Sequence, residues 1–181
     1  MIRFKDREAV AEIAEYLESL GHREIGFIKG PPNSKSATER YESFRDSLEL
    51  NGINLTEDNV AMGANTFQSG VDGAGQLLNS ENSPTAIFAS NDEMAIGVMV
   101  AAQKLGIKIP EELSIIGFDD SPQASKVWPT LTTVNLQVRD MGKLATEKLL
   151  ALCNNNLEDA ENIASEVLPT LIKRQTTRAP R

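Results

Sequence analysis

Apolar residues recur along this chain in two rhythms. From Asp6 to Leu20 they fall at Val10, Ile13, Ala14, Leu17 and Leu20, which is helical spacing, and Gly21 can supply a left-handed stop. "REIGFIKG" (23–30) reads as a short buried strand that ends in a turn at Gly30-Pro31-Pro32. "SATERYESFRDSLELNG" (36–52) returns to the helical period, with Tyr41, Phe44 and Leu48 on its apolar side. Ser36 and Glu39 stand at capping-box spacing at its start, and Gly52 closes it. "NVAMGA" (59–64) predicts a strand and "QSGVDGAGQLLNSEN" (68–82) a glycine-diluted helix. "TAIFAS" (85–90) is a buried strand. Ser90 and Glu93 then form a second capping box, for a helix from Asp92 to Leu105 ended by Gly106, and "LSIIGF" (113–118) is a further buried strand.

Strand and helix therefore alternate four times, and the strands are continuous apolar runs rather than alternating ones. That predicts an α/β fold, a Rossmann-like parallel sheet with helices on both faces. The pattern then changes. "WPTLTTVNLQV" (128–138) runs extended, and "RDMGKLATEKLLALCNN" (139–155) is an amphipathic helix with Met141, Leu144, Ala145, Leu149 and Leu152 inward. "IASEVLPTLIKRQ" (163–175) is a last extended segment, and Pro169 inside it points to an edge strand. Such a detour fits a chain that leaves its domain, adds a strand and a helix elsewhere, and returns.

With 181 residues the chain can build one real core. Its net charge of -8 makes it a poor nucleic-acid binder on its own, and it has no basic block. The single cysteine, Cys153, leaves no internal disulfide and reads as an apolar filler in a helix. No apolar run is long enough to span a membrane, and the first residues turn charged too early for a signal peptide, so a cytoplasmic location is expected. His22, the only histidine, has no Ser, Cys or metal partner at a telling spacing and reads as structural.

Ligands of open parallel sheets bind beyond the carboxyl ends of the strands. Asn65 and Phe67, Asn91-Asp92, and Asp119-Asp120 all fall there, and Arg40 lies on the same edge, read as the first turn of its helix. An arginine fork facing a carboxylate can grip vicinal hydroxyls or the polar edge of a purine, each charged bond contributing roughly 1.5–3 kcal/mol. Simpler readings stand beside this one. Ser90 and Glu93 serve as caps, and Asp120 or Ser121 before Pro122 starts another helix. Arg40 alone reads as a solvated surface arginine. Catalysis lacks support: there is no nucleophile elbow, phosphate loop, metal set or dinucleotide fingerprint, and no cofactor or metal is expected.

The segments "ESLGHREIGFIKGPPNS", "ATERYESFRDSLELNGI", "SPTAIFASNDEMAIGVMVAAQKLGIKIPEELSIIGFDDSP", "PTLTTVNLQVRDMGKLATEKLL" and "VLPTLIKRQTT" resemble, in order and over almost the whole chain, the LacI/GalR family of bacterial transcription regulators. The resemblance implies a periplasmic-binding-protein-like effector core of type I, two α/β lobes that close on a small molecule, probed by an N-terminal helix-turn-helix that binds operator DNA. The helix-turn-helix, the hinge and most of the first lobe are expected to precede Met1. What remains resembles the second lobe (1–131 and 154–181) plus an excursion, 132–153, that belongs to the first.

By the same resemblance Arg40 grips effector hydroxyls and Asp119 accepts from them. Asn65 stands where relatives carry an aromatic stacker, for which Phe67 is the substitute. Glu93 is polar and ligand-facing, while Asn91 and Asp92 shape the cleft. A homodimer is expected through Met94, Val98, Met99, Lys126, Val127 and Trp128, the alternative for Met99 being ordinary core. The expected partners are a small carbohydrate-like or purine-like effector and a second copy, with no membrane. The competing functions are a sugar-binding protein of a transporter and an α/β enzyme using Asp92 and Asp119. The helix Asp140–Cys153 is expected to lack its packing partner, and so either to swap into a neighbour or to exchange its amides fast.

Overall fold

The computed structural model describes residues 3–80, 82–154 and 156–180. Its central element is a parallel sheet of four strands in the order β3-β2-β4-β5: β2 (Ile25–Ile28), β3 (Val60–Ala61), β4 (Ala86–Ala89) and β5 (Ser114–Ile116). Phe27 lies in register with Val60 on one side and Phe88 on the other, and Phe88 with Ile116. Every residue of β2, β4 and β5 is buried, as the unbroken apolar runs predict for a sheet covered on both faces.

Two cores flank the sheet. On one face α1 (Asp6–Ser19) and α2 (Lys35–Leu50) bury Val10, Ile13, Leu17, Phe44 and Leu48 against Phe27 and Phe88. Phe27, Phe44 and Phe88 pack with centroids 5.0–5.5 Å apart, an aromatic cluster that strengthens burial beyond its area. On the other face α3 (Phe67–Leu78) and α4 (Asp92–Lys104) bury Leu77, Met94, Ala95 and Val98 against Ile28, Ile87 and Ile115. Glycine lets these two helices meet backbone to backbone. A Cβ on Gly70 would lie 2.2 Å from the carbonyl oxygen of Met94, and one on Gly97 2.3 Å from that of Phe67. The glycines that thin out the sequence of α3 are thus its contact surface, not a weakness.

Helix ends follow the sequence in part. Gly21, Gly52 and Gly106 take positive φ at the ends of α1, α2 and α4. Neither predicted capping box forms. Ser34, not Ser36, caps α2 by accepting from the Ala37 amide, and Glu39 instead pairs with Lys35. Asn91, not Ser90, caps α4 by accepting from Met94 N at 3.0 Å. Each cap falls on a residue whose extended backbone the strand-to-helix turn allows, and spacing alone does not register that. The helix predicted to start at Asp120 or Ser121 is a run of turns.

Beyond β5 the chain stays in the sheet longer than the sequence suggests. Gly117 and Asp119 donate to the carbonyls of Thr132 and Val134, so β6 (Thr133–Asn135) continues the main sheet, and β8 (Thr170–Ile172) pairs antiparallel with it. After Asn135 the chain turns at Gln137, φ 53°, into a segment that departs from the sheet. It comprises α5 (Val138–Cys153), α6 (Leu157–Asn162) and β7 (Glu166–Val167), which pairs with β1 (Arg3–Phe4). Pro169 separates β7 from β8 instead of lying inside one strand. No residue of α5 is fully buried, and Leu149 is 61% exposed; of the predicted inward stripe Met141 and Leu144 are half-buried, so the stripe is covered only in part. Cys153, expected as a filler, is exposed at its end.

His22 is structural, as expected. Its ring is buried between Thr85 Oγ1 (2.8 Å), Ser114 Oγ and the carbonyl of Arg178, where it joins the starts of β4 and β5 to the C-terminal segment. Burial holds the imidazole below its usual 6.5.

Candidate functional site

The loops after β2, β3, β4 and β5 all open at the carboxyl edge of the sheet. There the structure brings Arg40 and Asp119 together. Arg40 is in the second turn of α2, not the first, and it is no free surface arginine. Only 12% of its side chain is exposed. Nε donates to Asp6 Oδ2 at 3.2 Å, Nη1 donates to the carbonyl of Ser90 at 2.9 Å, and the guanidinium lies over the Phe118 ring, 3.9 Å from its centroid. An ion pair, a carbonyl and an aromatic face thus fix the fork in place. The sequence reading missed Asp6 and Phe118. Asp6 was legible only as the first residue of a helix, and Phe118 only as the end of a strand.

Asp119 has φ 113°, a left-handed backbone unusual for a residue with a Cβ, and Asp120 follows at 52°. The amide of Asp119 is held by Val134, yet its carboxylate makes no hydrogen bond or ion pair among the described residues. Burial raises its pKa to about 6. The positive charge of Arg40 pulls against that shift, and the neighbouring Asp92 and Asp6 carboxylates add to it. Asp120 plays a different part, pairing with Arg174 at 2.6 Å and accepting from Asn135, and so ties the loop to β6 and β8.

Asp119 lines a cleft of about 430 Å³ together with Phe67, Asn91, Asp92, Glu93, Ile96, Ser121 and Gln123. Four of the predicted residues besides Asp119 are therefore present: Phe67, Asn91, Asp92 and Glu93. Arg40 stands behind the cleft, and Asn65 does not line it. Asn65 instead takes φ 59° and accepts from Asn91 Nδ2 at 3.2 Å. Phe67 begins α3 with its side chain partly exposed, and its amide donates to Glu93 Oε1. Asp92 is buried with both oxygens engaged, one by Thr133 Oγ1 and the other by the Ser121 amide. Asp92 therefore cannot act as a free acid or base. Ser121, Gln123 and Ile96 were missed because nothing in their spacing marks a ligand contact.

Two buried side-chain atoms here, Asp6 Oδ1 and Ser90 Oγ, lack hydrogen-bond partners. Each such orphan costs about 1–3 kcal/mol, a penalty typical of functional sites rather than of cores. Among the described residues no group of three or more His, Cys, Asp or Glu is arranged to hold a metal ion, and no helix is long and apolar enough to cross a membrane.

A second concavity, about 450 Å³ and mainly apolar, lies further along the same flank of α4, between Ile96, Met99, Val100, Ile107, Val127 and Trp128. Trp128 is 81% exposed. Met94 and Val98, predicted to face a second copy, are fully buried in the chain's own core, and Met99 is nearly so. Met94 and Val98 face the sheet because α4 turns that side inward, whereas Met99, though mostly buried, lines this concavity. Lys126, Val127 and Trp128 remain at the surface.

A doubly covered parallel sheet with its polar cleft at the carboxyl edge defines a ligand-binding lobe of the periplasmic-binding-protein type. The family model described as the periplasmic binding protein-like domain matches residues 14–177, and the chain belongs to that family. It is 36% identical over 161 residues to the HTH-type transcriptional repressor PurR of Proteus mirabilis, an alignment covering 89% of this chain and 47% of the repressor. The chain thus spans about half the length of the curated relatives it matches. Among solved structures, a sugar-binding transcriptional regulator of the LacI family from Escherichia coli, complexed with phosphate, superposes with a TM-score of 0.90 at 31% identity, covering 99% of this chain and 63% of that one. The dimeric Lac repressor with an 11-residue C-terminal deletion gives 0.87 at 30%, covering 98% and 64%.

Proposed function

We propose that this chain is the effector-binding region of a LacI-type transcriptional regulator, without catalytic activity. It takes a small hydroxyl- or amine-bearing ligand, and through a DNA-binding segment outside these 181 residues that ligand modulates operator affinity. The observation that carries this reading is the unpartnered Asp119 carboxylate, held at positive φ in the cleft, with the charge of the fixed Arg40 fork acting on it from behind the lining. Strain and an unused charge concentrated at one point are what a binding site retains and a stable core discards. Phe67 adds an apolar surface, and Glu93 a second acceptor.

A carboxylate and an arginine fork suffice for binding without chemistry. Two or three charged hydrogen bonds at roughly 1.5–3 kcal/mol each reach only millimolar to micromolar affinity once ordering costs are subtracted. The apolar concavity under Trp128 is the surface for a second copy, related by a two-fold axis.

Ligand-observed NMR with a panel of carbohydrates and nucleosides tests the reading. Binding compounds should lose at least tenfold in affinity on Asp119→Ala. A panel without binders, or binders indifferent to that substitution, removes the site.

A further inference from the structure

We infer that the cleft selects for ligand charge: it admits neutral or amine-bearing donors and turns away anionic ones. The inference rests on the binding reading above and concerns the same cleft. No Lys, Arg or His lines the cavity, whereas Asp92, Glu93 and Asp119 do. The nearest cation, Arg40, already faces the Asp6 carboxylate at 3.2 Å and donates to the carbonyl of Ser90. Its charge is therefore largely answered within the chain.

The two helix N-termini at the cleft point the same way. Such termini are the usual seats for phosphate, because their first amides lack partners. Here the chain itself takes up two of the leading amides at each terminus. The Phe67 amide at the start of α3 donates to Glu93 Oε1, and the Ser69 amide to Thr66 Oγ1. At the start of α4 the Asp92 amide donates to the carbonyl of Phe118 and the Met94 amide to Asn91 Oδ1. A phosphate entering the cleft would find the Phe67 amide already held by the Glu93 carboxylate and would have to remain beside that charge and those of Asp92 and Asp119. A ligand hydroxyl or ammonium meets the reverse situation. Asp119 offers both its oxygens and Glu93 one, and an O–H or N–H donated to a carboxylate forms a short, charge-assisted bond.

The test uses three matched pairs that differ by one phosphate: D-glucose and glucose 6-phosphate, D-ribose and ribose 5-phosphate, adenosine and adenosine monophosphate. Inorganic phosphate serves as a separate probe. Titrations at pH 7.5 follow the backbone amides of Glu93, Asp119 and Ser121 by NMR. In any pair that shifts these amides, the unphosphorylated member should bind roughly tenfold or more tightly, since like charges brought together oppose association strongly. Inorganic phosphate should leave them unmoved. In the binding pair, Glu93→Gln should shrink the neutral-over-phosphate preference several-fold, a change that a structural role for Glu93 would not produce. A phosphorylated member that binds as well as its partner, or shifts from inorganic phosphate, overturns charge selection and leaves the ligand site intact. Silence from all seven compounds removes the site itself, and this inference with it.

Discussion

Asp119 carries two separate destabilising features, a φ of 113° and a half-buried carboxylate whose pKa is raised from 3.8 to about 6. An acid whose folded value lies above its unfolded one holds its proton more tightly when folded. Its effect is therefore absent below about pH 4 and grows into a loss of stability as pH rises through 6. Discounted for its partial exposure, the ionised group costs about 1–2 kcal/mol at neutral pH. Asp119→Asn, which keeps the shape and tolerates positive φ, should raise the thermal midpoint at pH 7.5 by a few degrees. The gain should vanish near pH 4, and melts across that range check it. Equal melting temperatures for the two proteins at pH 7.5 would show the carboxylate to be well solvated. At this scale the sequence was a partial guide. Arg40 and Asp119 were legible as opposite charges on one edge. Asp6 and Phe118, which fix the arginine, sit in separate elements whose approach only the folded chain brings about.

Periodicity located every helix and strand of the doubly covered sheet, because each depends on burial that a few neighbouring residues announce. For α5 periodicity gave an inward stripe, while the family resemblance gave a helix short of its packing partner. The stripe Met141, Leu144, Leu149 and Leu152 is amphipathic in sequence yet only half covered in the structure, since periodicity reports that a face wants a partner and not whether one is there. Helical stability comes mostly from packing, so α5 should be the least protected long helix in the chain. Hydrogen exchange should find its amides exchanging far faster than those of β2 and β4. Leu149→Ala should cost under about 0.5 kcal/mol, against about 2–5 kcal/mol for Leu17→Ala in the core. Comparable losses at the two leucines would place a partner on α5. The capping errors have a related origin. Ser36 and Ser90 have the right spacing, but a cap also requires extended backbone, which Ser34 and Asn91 supply.

At the scale of the molecule, the polar cleft and the apolar concavity follow one another along one flank of α4, with Ile96 lining both. An exposed tryptophan at the mouth of an apolar hollow is the kind of anchor that dominates a protein interface. Trp128→Asp should therefore shift sedimentation toward the monomer, with the dissociation constant raised at least a hundredfold and the thermal stability of the monomer little changed. A wild-type chain that already sediments as a monomer at hundreds of micromolar would remove this face as the contact. The same substitution in the buried Met94 or Val98 would unfold the chain rather than separate two copies.

The backbone contact between α3 and α4 at Gly70 and Gly97 bears on how these two surfaces relate. Side chains between helices act as a cushion, absorbing small displacements by changing rotamer. Here there is no cushion, and Phe67 and Glu93 at the cleft's lip belong to a pair of rods in direct touch. Pressure on the backbone at that lip moves the rods together, and the same flank of the second rod, one to two turns on at Met99 and Val100, lines the hollow beside Trp128.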